Sequence, residues 1–545
     1  GYYALKSLTT GSNNTALGAY TLDANTTGGE NTAVGYAAAT AITTGAKNTF
    51  VGNYAGALTT TGDRNVGIGN WSFGNGVTTG DYNTAIGDNS ARSLTSGNQN
   101  TFLGNQAGYH TTTGANNTAV GKDSLLANTT GGSNVAIGSF ALDANTTGAA
   151  SVAVGMGSLG SSTTADSNTA IGYNSLTNNT TGANNTAVGR ETLENNSTAS
   201  NNTAVGYEAL TANTTGTENV AVGTFALDAN TTANNGTAVG IGALGANTTG
   251  YKNNAFGSYA LGSNTTGVSN GAFGYSALTV NTTGNYNNAV GQQALAANTT
   301  AGNNNAFGFQ ALYVNTTGAD NSGFGHGALG SNTTASNNTA VGSSALLANT
   351  TGIKNNAFGV RTLGANTTGT QNNGFGYQSL DANTTGSYNT AFGDSSLGGN
   401  TTASNNTAVG YYALVVNTTG SENVAVGAYA LDANTTAVNN TAVGYLALST
   451  NTTATNNTAV GRSSLANNTT GALNTAVGAS ALIANTTGAS NTAVGYAALS
   501  ANTTGVNNTS VGYGSLLDNT TGQENTALGK DTLANNTTAN RNTAI

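Results

Sequence analysis

Hydrophobic residues recur along this chain every 17 residues, always beside the same polar ones. One copy, from Gly478 to Val494, reads Gly-Ala-Ser-Ala-Leu-Ile-Ala-Asn-Thr-Thr-Gly-Ala-Ser-Asn-Thr-Ala-Val. The glycine that opens each copy returns in 32 copies from Gly1 to Gly529, with one inserted residue near Trp71. Positions 1 to 17 are counted from this glycine throughout. A period this short and regular is typical of a solenoid, in which each repeat is one coil buried against its neighbours.

The residues within one copy favour strands over helix. Seventeen residues at about 3.3 Å each give a contour of roughly 56 Å, enough for one narrow turn with two short strands. Glycine, asparagine and the β-branched residues disfavour helix. The pattern therefore predicts one strand at Asn-Thr-Ala-Val-Gly, a second around Ala-Leu, and turns at Asn-Thr-Thr-Gly and at the pair of residues after it.

Two adjacent positions of the first predicted strand are apolar. Position 17 is Val, Ile, Leu or Phe in every copy, and position 16 is nearly always Ala, with Phe only at Phe50 and Phe102. Successive side chains of a strand point to opposite faces, so both faces of this strand are expected to be covered. A narrow coil has only one interior face. The second face is therefore predicted to pack against another chain, which makes the protein a homo-oligomer.

Other rows fill and close the coil. Position 5 is Leu in every copy from Leu125 to Leu533, which predicts a core of uniform volume. Asn at positions 8 and 14 predicts side-chain ladders that run along the stack. Phe at position 17 predicts a locally wider core with stacked rings. It occurs at seven positions: Phe256, Phe273, Phe307, Phe324, Phe358, Phe375 and Phe392.

The copies from residue 36 to 113 depart from the consensus. Position 5 changes there to Ala39, Gly56, Phe73, Ala91 and Gly108. The repeat is otherwise unbroken, so residues 1–545 are predicted to form a single continuous solenoid. Within it, residues 36–113 are predicted to form a distinct sub-region, which has another cross-section or approaches a neighbouring domain.

The consensus resembles the head repeats of YadA-like trimeric autotransporter adhesins. Asn474-Thr475-Ala476-Val477-Gly478 and Ala481-Leu482 match the first half of that repeat, and Asn485-Thr486-Thr487-Gly488 looks like an enlarged form of its second turn. Similar Asn-Thr-Thr-Gly arrays occur in tail-fibre-like proteins of phages and bacteria. The resemblance implies an all-β fold, a left-handed parallel β-roll, with three chains side by side outside the cell.

Composition removes several function classes. The net charge of -9 comes without a basic patch, which argues against nucleic acid. No apolar run approaches the roughly 18 residues that span a bilayer. The two histidines, His110 and His326, stand far apart, whereas a metal site needs several ligands together. Repeats place like residues in rows, while catalysis needs unlike residues that converge. We therefore expect no catalytic residues, no cofactor, no metal and no enzyme activity.

Three sets of polar residues remain as candidates. Tyrosines at position 2 are candidate contacts to sugars or other surfaces: Tyr173, Tyr207, Tyr275, Tyr377, Tyr411 and Tyr445; partial packing over the coil edge is the alternative. Each Asn-Thr-Thr turn matches the N-glycosylation pattern, with candidate acceptors at Asn213, Asn247, Asn383 and Asn485. Aspartates after the leucine, expected to face solvent, are Asp23, Asp143, Asp228, Asp381 and Asp432.

These features predict an extracellular structural or adhesive fibre: a surface adhesin, a fibre shaft or a matrix filament. Its expected partners are copies of itself, as a homotrimer or a head-to-tail filament, together with carbohydrate or a host or matrix surface. Its expected place is outside the cell, at the cell surface or on a virion fibre. The alternative is an ice-binding solenoid that uses the paired threonines at positions 9 and 10.

Overall fold

A computed structural model describes all residues from 1 to 545. The chain is an all-β parallel β-solenoid of about 31 turns, with about 17 residues per turn and no helix. The predicted fold class is therefore confirmed. Residue contacts divide the solenoid into an N-terminal unit, Gly1–Asn270, and a C-terminal unit, Gly271–Ile545.

Each coil contributes one short strand, formed by positions 15 to 17. The N-terminal unit contains β1 Thr15–Leu17, β2 Thr32–Val34, β3 Thr49–Val51, β4 Val66–Ile68, β5 Thr84–Ile86, β6 Thr101–Leu103, β7 Thr118–Val120, β8 Val135–Ile137, β9 Val152–Val154, β10 Thr169–Ile171, β11 Thr186–Val188, β12 Thr203–Val205, β13 Val220–Val222, β14 Thr237–Val239 and β15 Asn254–Phe256. The C-terminal unit contains β16 Gly271–Phe273, β17 Asn288–Val290, β18 Asn305–Phe307, β19 Ser322–Phe324, β20 Thr339–Val341, β21 Asn356–Phe358, β22 Asn373–Phe375, β23 Thr390–Phe392, β24 Thr407–Val409, β25 Val424–Val426, β26 Thr441–Val443, β27 Thr458–Val460, β28 Thr475–Val477, β29 Thr492–Val494, β30 Thr509–Val511, β31 Thr526–Leu528 and β32 Thr543–Ala544.

Within each unit, every strand pairs in parallel with the strand of the next coil, in register. Ala476 lies opposite Ala493, and Val477 lies opposite Val494. Like residues therefore stack on like residues, at about 4.8 Å per coil. This register turns every position of the repeat into a row that runs along its unit.

The predicted second strand around Ala-Leu is wrong. In this stretch the backbone turns twice into the left-handed region, with φ of 58° at Ser480 and 52° at Leu482, so it cannot stay extended. A left-handed leucine costs roughly 1–2 kcal/mol, but burying its side chain returns about 1.5–3 kcal/mol. Leu482 is fully buried, which explains how the fold sustains this conformation coil after coil.

The core is narrow. It consists of position 16 from the strand and positions 4 and 5 from the turn, as in Ala476, Ala481 and Leu482, which have no exposed surface. The uniform leucine row predicted from the sequence is confirmed.

The divergent coils keep this core filled by exchanging volume between two positions. Where position 16 is Phe102, position 5 of the next coil is Gly108, and a Cβ added to that glycine would lie 2.7 Å from the phenyl ring. Phe50 and Gly56 repeat the arrangement, with a Cβ of Gly56 only 2.5 Å from the ring. A phenylalanine and a glycine thus replace the usual alanine and leucine.

The exchange of volume between Phe102 and Gly108 predicts how substitutions change the free energy of unfolding. We expect Phe102→Ala to lower the free energy of unfolding by about 3–5 kcal/mol, since the cavity lies in a closed core. Adding Gly108→Leu, which restores the consensus pair, should recover most of that loss, whereas Gly108→Leu alone should overpack the coil. Hydrogen exchange of the neighbouring strand amides measures the effect locally. A double variant no more stable than Phe102→Ala would contradict the volume exchange.

Candidate interaction surface

The outer face of the strands is an uncharged surface that every coil shares. Because the alanine at position 16 points inward, as Ala476 does, the side chains at positions 15 and 17 point outward, and Val477 remains 37% exposed. No copy carries Asp, Glu, Lys or Arg at either position. We call the outward side chains at positions 15 and 17 the outer face.

The phenylalanines at position 17 lie on this outer face, so the prediction that they widen the core is wrong. Phe307 is 38% exposed and Phe392 is 57% exposed. The narrow core accepts a phenyl ring where position 5 is glycine, as beside Phe102, but Leu312 and Leu397 occupy that position here. The predicted stacking of the rings is nevertheless confirmed. Phe307 and Phe324 stack at 4.9 Å between ring centroids.

Two asparagine ladders, both predicted from the sequence, run through the buried interior of the coil. At position 14, the Oδ1 of Asn474 accepts a hydrogen bond from the backbone N–H of Asn491 at 3.0 Å. At position 8, the Nδ2 of Asn485 donates to the Oδ1 of Asn468 at 2.8 Å. The ladders meet at the carbonyl oxygen of Gly488, which accepts from the Nδ2 of Asn474 at 2.8 Å and from that of Asn485 at 2.9 Å.

The candidate glycosylation sites belong to the position 8 ladder. Asn213, Asn247, Asn383 and Asn485 are fully or almost fully buried. In each of them, Nδ2 donates to the asparagine of the preceding coil and to the turn carbonyl. Since a glycan attaches to this nitrogen, modification would have to occur before the coil forms. Glycosylation stays a prediction with that added condition.

The threonines of the turn differ in their surroundings. At position 9, the hydroxyl of Thr486 donates to the backbone oxygen of Thr503 at 3.0 Å, and at position 10, Thr487 is exposed. One of the two paired rows thus hydrogen-bonds to the stack, and the other faces solvent. Ice binding stays a prediction, which thermal hysteresis of the purified chain would test.

The candidate tyrosines at position 2 are all exposed. Their exposed fractions range from 36% at Tyr207 to 53% at Tyr275. They lie two residues after position 17, on the edge where the chain leaves the strand. Surface contact stays a prediction for them.

Sequence reasoning missed the aromatic residues at position 3, which extend this edge. In the N-terminal unit, Tyr20, Tyr36 and Tyr54 are edge-to-face neighbours, and Tyr54 stacks on Trp71 at 4.4 Å. The guanidinium of Arg92 lies 5.1 Å from a Trp71 ring. The sequence contains this pattern, because Tyr20, Tyr54 and Trp71 share position 3. The pattern is hard to recognise because the aromatic residue lies at position 2 in some copies and at position 3 in others.

The aspartates at position 6 are partly buried, so the expectation that they face solvent is wrong. Loss of hydration raises the pKa of four of them above the ordinary value of an aspartate: Asp143, Asp228, Asp381 and Asp432. At Asp143 the carboxylate of Asp123 raises the pKa further. At Asp381 the guanidinium of Arg361, 3.2 Å away, opposes the shift.

These shifts predict an unusual pH dependence. A carboxyl whose pKa is higher in the folded state binds more protons folded than unfolded, so its contribution to stability falls as pH rises from the ordinary aspartate value, about 3.9, through the raised value. Replacing all four aspartates by Asn should therefore stabilise the protein at pH 7 and remove this decline. Urea unfolding across that pH range measures it. A variant with the same stability and pH profile as the wild type would contradict the assignment.

Metal ligands and membrane-spanning helices are the remaining features to consider. No group of three or more His, Cys, Asp or Glu residues lies together as metal ligands would. His110 and His326 are both exposed. No helix is present with the length and apolar character needed to cross a membrane.

Comparison with protein-family models finds no match, and comparison with curated proteins finds none either. Two features of the coil geometry bear on function: an uncharged outer face with an apolar row at position 17, and aromatic residues along its edge.

Proposed function

We propose that this protein is a non-enzymatic extracellular fibre component, structural or adhesive, that works as a side-by-side assembly of copies. The observation that carries this proposal is the outer face. The core is already filled by positions 4, 5 and 16, yet position 17 remains apolar in every copy. A continuous apolar row on an uncharged surface is typical of a protein–protein interaction site.

The interior of the coil supports a mechanical role. Backbone hydrogen bonds join successive coils within each unit, as from the N–H of Thr475 to the oxygen of Asn491 at 2.8 Å. The two asparagine ladders add buried side-chain bonds to the same connection. Separating two coils breaks all of these together, which suits a component that carries load along its length.

The alternation of inward and outward side chains along the strand supports a homotrimer or a comparable side-by-side assembly, because it leaves an apolar residue at position 17 on the outside. Three solenoids around an axis would bury one outer face from each chain and leave the tyrosine edge outside. Such an assembly suits a component of the cell surface, of a matrix or of a virion fibre, which is the location we propose for it. Head-to-tail association is the second mode, because like coils stack on like coils in register and an open strand edge pairs readily with another chain.

The exposed tyrosines support the adhesive role. An aromatic ring with a hydroxyl can stack on a sugar and hydrogen-bond to it. We propose that the rows around Tyr377, Tyr411 and Tyr445 contact carbohydrate or a host or matrix surface.

Attachment assays test this role. Purified protein is passed over immobilised polysaccharides and matrix proteins, and the triple variant Tyr377→Ser, Tyr411→Ser, Tyr445→Ser is expected to lose most of the retention. A matched control replaces Tyr286 and Tyr388, which are equally exposed at position 13 (59% each). Equal retention of wild type and triple variant, or no retention of either, would count against adhesion and leave only a structural role.

A further inference from the structure

One stretch of the outer face has its own composition. The commonest outward pair is Thr at position 15 and Val at position 17, but in the C-terminal unit it changes to Asn and Phe at β18, β21 and β22. The neighbouring strands β16, β19 and β23 also carry an outward phenylalanine. We call the outward side chains from β16 to β23 the aromatic face.

The aromatic face is ordered before any partner arrives. Phe358 and Phe375 stack at 4.8 Å with 3° between their planes, and Phe392 follows at 5.4 Å. Beside them, the Nδ2 of Asn356 donates to the Oδ1 of Asn373 at 2.8 Å. Side chains that are already held in place lose little conformational entropy on binding.

The extent of this face is that of the largest apolar patches on soluble monomers, which are often functional. A fully accessible phenylalanine presents about 200 Å². Phe273, Phe307, Phe324, Phe358 and Phe392 are each exposed by about two-fifths or more, so together they expose on the order of 400 Å². The largest apolar patch of a typical monomer is about 300–600 Å². With the outward valines and asparagines, the face approaches the roughly 800 Å² that each partner buries in a stable complex.

The orientation of the rings indicates what covers them. Sugars stack on the faces of aromatic rings, but Phe358 and Phe375 cover each other's faces and present their edges outward. Ring edges and aliphatic groups suit the interdigitated packing of protein side chains. The face is uncharged, so it selects neither an acidic nor a basic partner. It is also continuous, within its unit, with the valine row that the proposed assembly buries.

We propose that the aromatic face is the site at which a second copy of this chain docks most tightly, the hot spot of the assembly. This inference rests on the side-by-side assembly proposed above and names the residues that hold it together. Aromatic residues at the centre of a desolvated interface carry a disproportionate share of the binding energy. The outer face of the remaining coils supplies shape complementarity along the rest of the interface.

The test uses the triple variant Phe358→Val, Phe375→Val, Phe392→Val. Valine is the native residue at this position in the flanking coils, at Val341 and Val409, so the fold should tolerate it. Sedimentation equilibrium over a concentration series should show the dissociation constant rising at least tenfold. The matched control, Phe140→Val with Phe225→Val, removes phenylalanines that are 42% and 38% exposed at position 3, and it should leave assembly unchanged.

The possible results separate this inference from the proposal beneath it. A wild type that stays monomeric at every concentration overturns the assembly itself. A wild type that assembles, with a triple variant that assembles equally well, overturns only the hot spot. A monomeric wild type that binds a polysaccharide through Phe358, Phe375 and Phe392 would also overturn the inference, since the face would then belong to a sugar.

Discussion

Gly410→Ala should disrupt its coil and lower the free energy of unfolding by about 5 kcal/mol or more, among the largest effects of a single substitution. Gly410 opens its repeat with φ of 135°, a backbone region that is strained for any residue with a side chain. An added Cβ would lie 2.6 Å from the backbone carbon of Gly427 in the next coil. Neither group is the end of a flexible side chain, so the coils must separate and lose their hydrogen bonds.

The control lies ten residues away. Gly420 is the turn glycine of the same coil, and Ala403 and Ala437 occupy its position in the coils before and after. A Cβ added to Gly420 would lie 2.2 Å from the carbonyl oxygen of Ala437, but Ala437 and Ala454 show that successive coils accept alanine at this position. Because Gly420 does not have the positive φ of Gly410, Gly420→Ala should cost far less, although both substitutions add one methyl group. Hydrogen exchange of the amides around β24 and β25 reports both variants. Equal protection in the two variants would mean that the first glycine is not a close contact between coils.

Removing both ladder asparagines that meet at Gly488 should destabilise the protein by more than the sum of the single substitutions. Asn474→Ala leaves the N–H of Asn491 unpaired, but Asn485 still donates to Gly488, and the converse holds for Asn485→Ala. Each single loss should cost about 1–3 kcal/mol. The double variant also leaves the buried carbonyl of Gly488 without a donor, which should add about 0.5–3 kcal/mol of coupling.

A double-mutant cycle in urea measures this coupling, provided that unfolding is cooperative. Asn474→Ser is the matched milder change. Ser151 stands at the same position in another coil, and its hydroxyl accepts from the N–H of Asn168 at 3.2 Å. Serine should thus retain the acceptor and lose only the donor. Simple additivity in the cycle would contradict the shared carbonyl.

Features that repeat in every coil could be read from the sequence. The 17-residue period gives the solenoid, the leucine row gives the core, and the asparagine rows give the ladders. Each follows from stacking like on like, which requires no knowledge of where the chain bends. The fold class, the core leucines and both ladders were predictable for this reason.

The features that were missed depend on the path of the backbone within one coil. Nothing in Ala-Leu announces left-handed backbone at Leu482, because leucine rarely adopts it and burial sustains it here. The outward direction of Phe358 follows from strand alternation once Ala357 faces the core, and the sequence does not say which of these two apolar positions faces inward. Partial burial of Asp432 likewise depends on neighbouring turns, which a pattern of solvent-tolerant residues at position 6 could not reveal.

The central claim is that the outer face joins copies of this chain. Light scattering of the purified protein, coupled to size exclusion and repeated over a range of concentrations, tests it most directly. A discrete species near three times the chain mass of 53.4 kDa is the predicted result. A single species at the mass of one chain at every concentration would contradict the account.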